Sequence, residues 1–511
     1  MSGKIDDTLL LKWEILKFFD ELKERKDLTT IELERELERL FRSDERAVSL
    51  LLNILSRCRE VEVLNLIAYA LEYLGDESIV DPLIDMLLSP RTPTEAKLKI
   101  ISILNSYGYD GLPSELAKAY PEVSRELDEL ARRNFDEAMA LAEEDDEVLG
   151  LFMEEIEGFP KEAKVDYIHY LKDLSGPGVI KVLETLSSIV GDDEVAAEAI
   201  GALSSIESPR SISALKRVME RATSPPLKLA AEKAIRKLTL MGISPPEEPS
   251  SEPARPFLVI LTPIDGNGDR LLWACKLSGG DKNKIQLSGF VINTDYGLKE
   301  CYGSTNLSSH HLFVAYESLM KETNPLEVDR EYAVKIIKDA LLRNLDEGVA
   351  IPYVFAVWRQ IFDGYDLTPE RYEIDWDQRL GEITDENLLD RTGTLFYRKE
   401  FRDWYDHSDK AMEYYMKISN LKSNEEMEGL IKQYALEVFE PKRRSLQRSL
   451  ELMADFLSMQ EMGKADAKLA YAAASKLYDE ELPLHEHPFV ARMIEISLQM
   501  AGMLFRRRRG G

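Results

Sequence analysis

"LGDESIVDPL", Leu74 to Leu83, decides how the first half of the chain is read. It places a Gly-Asp turn before an amphipathic run and sets an apolar residue at each end, nine positions apart. Similar segments begin at Phe41 (FRSDERAVSL), Tyr107 (YGYDGLPSEL), Leu174 (LSGPGVIKVL) and Ile206 (IESPRSISAL), with a weaker one at Leu141 (LAEEDDEVLG). Successive starts lie 32 to 34 residues apart, a period that signals stacked supersecondary units.

Each unit has one plan: a polar turn, an amphipathic helix such as "SIVDPLIDMLL", a loop, then a second helix such as "TEAKLKIISIL". Apolar residues recur at three- and four-residue spacing, as in Leu98, Ile101 and Leu104. A helix pair this short cannot bury its stripe alone, so neighbours must stack. The expected fold is mostly α: an N-terminal α-solenoid over residues 1–243, then an α+β domain.

The ankyrin and tetratricopeptide signatures are absent. "LGDESIVDPLIDML" and "VAAEAIGALSSIESPRSISALKRVM" instead resemble HEAT-like repeats of the phycobilisome-lyase type, over residues 40–240 or so. The resemblance implies helix pairs whose second helices line a concave side, and a protein-binding role. Lyases of that type act on bilins, but no residue here points to a bilin. Aligning "IISIL", "AIGAL" and "AIRKL" puts Lys99, Glu198 and Lys233 at equivalent outward positions, beside Ile100, Ala199 and Ala234. These three are the candidate partner-binding residues.

The repeat ends at "LTLMGI", and "SPPEEPSSEPARP" follows at residues 244–256, a linker expected to space the halves apart. Beyond it "PFLVILTPI", "DRLLWACKLS", "KIQLSGFVINT" and "LKECYGS" read as an antiparallel meander over about 257–305. From Ser308 to about residue 505 the pattern is helical. One helix there is capped by Asp329 and closed by Gly348, and another is expected to start at Pro369.

Within "TPIDGNGDRLLW" (262–273), the acids and amide at 265, 267 and 269 imitate a calcium loop. Counted from Asp265, though, the sixth position is Arg270 where Gly is required and the twelfth is Lys276 where Glu is required. A hairpin turn fits better, with Gly and Asn supplying positive φ. The nearness in sequence of Cys275, Cys301, His310 and His311 matches no zinc spacing, and His485 and His487 have no third ligand beside them.

Asp375, Asp377, Asp403, Asp406, His407 and Asp409 supply enough carboxylates for a metal-dependent hydrolase, the alternative function, with the solenoid selecting substrate. Acid-rich helices also produce such clusters without chemistry. No phosphate-binding glycine motif and no Gly-x-Ser-x-Gly elbow is present, and no cofactor is expected. The basic "LFRRRRGG" end reads as a solvated tail.

The chain has 65 Lys and Arg against 93 Asp and Glu, a formal charge of -28, which disfavours nucleic acid and anionic lipid as partners. Three scattered cysteines suit a reducing compartment. A charged N-terminus and no apolar run near the roughly 20 residues a bilayer needs lead to the expectation of a cytoplasmic protein, off the membrane. The function expected is a non-catalytic scaffold or adaptor that binds a protein partner.

Overall fold

The computed structural model describes residues 15, 17, 18, 47–74, 77–89, 91–108, 121–174, 176–246, 256–277, 284–383, 385, 387–421 and 423–510. The chain is mostly helical with one small antiparallel sheet. It divides into two compact units, Met1–Ala138 and Met139–Gly511.

In the first unit, helices α1 (Ala47–Leu55), α2 (Val61–Leu74), α3 (Val80–Leu88) and α4 (Thr94–Ser106) pack as α1 on α2, α3 on α4 and α2 on α4. Leu51, Leu64, Ile67, Leu71, Leu83, Leu87, Ile100 and Ile103 form its core. Tyr107 ties the end of α4 to α2 through a 2.9 Å bond from its hydroxyl to the Leu71 carbonyl.

Helix α5 (Pro121–Glu144) leads into the second unit, where three helix pairs follow: α6 (Asp146–Glu157) with α7 (Lys161–Asp173), α8 (Pro177–Leu186) with α9 (Asp193–Leu203), and α10 (Pro209–Arg221) with α11 (Pro225–Leu240). Their starts are chemically specified. Asp145, Asp192 and Ser208 accept from the backbone N–H of Glu147, Val195 and Arg210, satisfying donors the helix leaves open, and Pro209 occupies a first-turn position that needs none. First helices pack in the order α6–α8–α10 and second helices in the order α7–α9–α11.

Of the residues placed in register by the repeat, Leu83, Leu183, Ile206 and Leu215 are buried and Leu174 is half-buried. The side chain of Leu74 and all of Phe41 lie outside the described residues. Leu141 breaks the pattern. It is 57% exposed, while its neighbour Ala142 is buried, so the weak segment at 141 is not a register position.

Strands β1 (Leu258–Leu261), β2 (Asp269–Leu277), β3 (Lys284–Asn293) and β4 (Gly297–Ser308) form the expected meander. A short β5 (Leu326–Glu327), following helix α12 (Ser309–Thr323), joins β1 at the other edge, giving the order β4-β3-β2-β1-β5. Helix α13 (Arg330–Glu347) has the predicted ends: the Asp329 side chain accepts from the Tyr332 N–H, and Gly348 has φ 67°.

No helix begins at Pro369. Backbone bonds from Glu370 N–H to the Lys338 carbonyl and from Tyr372 N–H to Asp339 Oδ1 hold this stretch extended along α13. After α14 (Phe355–Trp358), the next helix is α15 (Trp376–Leu380). The expected C-terminal helices are α16 (Asp409–Ser419), α17 (Asn424–Tyr434), α18 (Arg443–Ser458), α19 (Lys464–Lys476) and α20 (Pro488–Gly510). The last of these helices runs through the final arginines to Gly510.

The expectation that the linker sets residues 1–243 apart from 257–511 is corrected, because α6–α11 belong to the same compact unit as the sheet. Gly150 of α6 meets Trp358, and the Glu147 carboxylate accepts from the Thr305 N–H of β4 at 3.0 Å. Arg221 holds Glu184 at 3.1 Å with one nitrogen and grips Asp363 with two others at 3.0 and 2.7 Å. A proline-rich linker sets composition but says nothing of side-chain pairing across it.

Candidate functional site

A concave site with mixed polar lining lies where the β1–β2 turn meets the 403–406 loop and the start of α18. It is a cavity of about 130 Å³ bordered by Asp265, Thr294, Trp404, Asp406, Lys442 and Ser449, among others. Its first wall is the calcium-like stretch, which is a turn. Asp265 accepts from the N–H groups of Asn267 and Asp269, both at 2.9 Å, and Gly268 takes φ 82°. Asn267 has no positive φ, so glycine alone supplies the left-handed residue.

The turn is pressed onto the second wall. A Cβ on Gly266 would lie 1.7 Å from the Asp403 carbonyl oxygen, and Trp404 Nε1 donates to the Ile264 carbonyl at 2.9 Å. Two segments read separately in the sequence are thus one structure. Burial pushes the Asp265 carboxyl above its ordinary range against the two backbone bonds, with the charges of Asp269 and Asp403 adding to the rise.

Asp406 is bonded three times within the chain. It accepts from the Ser408 N–H and hydroxyl at 3.0 and 2.8 Å and from the Tyr434 hydroxyl at 2.8 Å. Thr294 and Ser449 bond to each other at 2.8 Å. His407 is exposed, stacks on Tyr405 and leans on the Asp403 carbonyl. Two acids of the cavity wall, Asp265 and Asp406, are therefore bonded to the chain itself, and the lining holds no imidazole or thiol to pair with them.

The remaining acids of the proposed hydrolase site are dispersed. Asp375 caps α15 by accepting from Gln378 N–H, Asp377 lies in the first turn of that helix, and Asp409 opens α16 behind the Ser408 cap. Among the described residues no three His, Cys, Asp or Glu side chains meet as metal ligands would. Cys275 and Cys301 are separated by the sheet itself: they pair with Leu287 and Phe290 of β3, three residues apart and so on opposite faces. His311 instead serves its own helix start, its N–H bonding Ser308 Oγ at 3.2 Å.

Of the partner-binding candidates, Lys99 is half-buried in the first unit. In the second, Glu198 is half-exposed and meets His169 at 3.3 Å, and Lys233 is exposed. Ile100, Ala199 and Ala234 beside them are buried as the alignment requires.

A buried carboxylate escaped the sequence reading. Asp455, fully buried in α18, accepts from the hydroxyls of Tyr332 and Tyr372 at 2.7 and 2.9 Å and pairs with Arg379 Nε at 2.7 Å. Burial, then the charge of Asp455, pushes the Tyr372 hydroxyl up to about 12, so it stays a donor. A lone acid inside "LMADFLSM" was the available signal.

No helix of the described residues is long and apolar enough to cross a membrane. No protein-family model and no curated protein sequence matches the chain. A solved structure of human deoxyhypusine hydroxylase in complex with glycerol aligns with 46% of this chain and 99% of its own, at 14% identity and a TM-score of 0.17, a likeness too loose to bear on fold or function.

Proposed function

We propose that this protein is a non-catalytic scaffold or adaptor, in which a HEAT-like solenoid segment offers its second-helix layer to a protein partner. The observation that carries this reading is how the two helix layers are used. The first helices α6, α8 and α10 are taken up internally, packing toward β4, α14 and the Asp363 loop. The second helices α7, α9 and α11 keep exposed residues along their outer faces, with Lys164 and Asp192 touching Tyr353. An array of parallel outer helices is an extended surface suited to another polypeptide.

The cavity beside the β1–β2 turn supports the same reading, since Asp265 and Asp406 in its wall already accept bonds from the chain and no imidazole or thiol lines it, whereas an enzyme needs acid and base groups that converge on a free site. Affinity capture from native extract, run with elemental analysis of the purified chain, tests the proposal. A partner retained by the wild type and lost in a variant reversed at Lys99, Glu198 and Lys233 is the expected result. A stoichiometric transition metal with no co-purifying protein would overturn it in favour of metal-dependent hydrolysis.

A further inference from the structure

Helix α11 ends the stack and buries Leu227, Ala231, Ala234 and Leu238 against α9 and α10. Those positions fall on one face, so the opposite face carries Leu229, Lys233, Arg236 and Leu240, with Met241 just beyond. Leu229 is 50% exposed and Leu240 is 89% exposed. The strip therefore runs apolar, basic, basic, apolar from Leu229 to Leu240, about 16 Å of helix.

Its charge is anomalous for this chain. Acids outnumber bases 93 to 65, yet from Lys228 to Lys237 four cations stand against Glu232 alone. Among the described residues no carboxylate forms an ion pair with Lys233 or Lys237, and Lys237 reaches only the Ser204 hydroxyl at 3.3 Å. Arg236 pairs with Glu232 on the helix surface, a contact of the exposed kind that is easily exchanged. The terminal unit of a helical stack ordinarily shows a polar outer face, so exposed leucines there need a cover.

We propose that this strip docks an acidic amphipathic helix of a partner protein, with two carboxylates set between two apolar residues at matching spacing. The proposal rests on the protein-binding reading above and names the chemistry of the partner. Complementary charge selects the carboxylates and the two leucines supply the apolar anchors of helix recognition. A nucleic-acid backbone would leave both leucines uncovered and would meet the repulsion of a chain carrying -28.

The test uses the full chain and a fluorescently labelled helical peptide presenting Leu, Glu, Glu and Leu at i, i+4, i+7 and i+11, beside a counterpart with Lys for Glu. Wild type should bind the acidic peptide saturably and the basic one at least tenfold more weakly. Lys233→Glu with Arg236→Glu should invert that preference, and Leu229→Ser with Leu240→Ser should weaken the acidic peptide at least tenfold, with circular dichroism unchanged in both. Absence of saturable binding, or binding indifferent to these substitutions, overturns the proposal. So does equal, substitution-sensitive binding to phosphatidylserine vesicles or single-stranded RNA, which would make the strip a general polyanion surface. A partner captured from extract by Arg236→Glu with Leu240→Ser as well as by wild type, but lost on reversing Lys99 and Glu198, sinks the strip while leaving the scaffold standing.

Discussion

The hydroxyl of Tyr332 on α13 donates to Oδ2 of Asp455 on α18 at 2.7 Å, in a place water does not reach. Tyr372 shares the same oxygen and Arg379 takes the other. Removing Asp455 strands two hydroxyls and leaves the guanidinium without its anion. Asp455→Ala should cost about 3 to 5 kcal/mol in urea unfolding. Asp455→Asn, which keeps an acceptor for the tyrosines, should cost less. Equal stability of Asp455→Ala and wild type would refute the account.

Two helical glycines should respond with opposite signs. A Cβ on Gly178 in α8 would fall 1.9 Å from the Met139 carbonyl oxygen, and backbone cannot swing aside as a side chain can. Gly178→Ala should destabilise by about 1 to 3 kcal/mol. Around Gly201 in α9 nothing lies within 4 Å, so Gly201→Ala should raise stability by roughly 0.5 to 1 kcal/mol through helix propensity. Thermal melts of the two variants decide the matter.

Glu400 predicts an acid-side loss of stability. Burial opposes its charge, but bonds from Arg398, Gln460 and Asn324 outweigh that and hold the carboxyl at about 2, below its ordinary 4.5. A carboxyl depressed on folding stabilises the fold above its unfolded value and loses that contribution as pH falls. The loss runs from about pH 4.5 down through pH 2 and amounts to about 3 kcal/mol. Glu400→Gln should flatten this part of the stability profile, and an unchanged slope would count against the pairing.

The thiols should separate cleanly under alkylation. Burial pushes Cys275 up to about 12 and Cys301 well above the ordinary thiol range, with Glu157 and Glu300 adding to the latter. Cys58 is partly exposed. Iodoacetamide on the native chain should modify Cys58 alone, with the other two following only in denaturant, as peptide mass mapping will show. Early labelling of Cys275 would contradict the packing of β2.

A protease site engineered between residues 247 and 255 tests the joining of α6–α11 to the sheet. The Arg221–Asp363 pair, the Tyr353–Asp192 bond and the seat of Trp358 on Gly150 should keep the cleaved pieces together in gel filtration. Adding Asp363→Ala and Tyr353→Phe should let them part. Separation of the wild-type pieces without denaturant would show that these contacts do not hold α6–α11 to the sheet.

What could be read in advance follows how local each determinant is. The apolar period around Leu83, Leu183 and Leu215, the cap at Asp329 and the turn at Asp265 depend on neighbours within a few residues, and all appear where expected. The helix expected at Pro369 failed because Asp339 and Lys338, some thirty positions upstream, capture its backbone. The partners of Asp455 come from two stretches upstream, Tyr332 at a separation of 123 and Tyr372 at 83 with Arg379 close after it, which no spacing encodes. The meeting of Gly266 with Asp403 is of the same kind, and only its result, a glycine with no space for a side chain, leaves a trace in the sequence.

Tyr353 touches three helix ends at once: its N–H meets Glu157 at 2.8 Å, its hydroxyl meets Asp192 at 2.7 Å, and Lys164 reaches that hydroxyl at 3.3 Å. Stacks of helix pairs are ordinarily springs, because each pair grips only the next and small rotations add along the array. Here one residue from outside the stack clamps the seam between consecutive pairs. The elasticity of this stretch is therefore governed by the loop before α14, and its curvature should vary less than that of a free array when a load is applied along it.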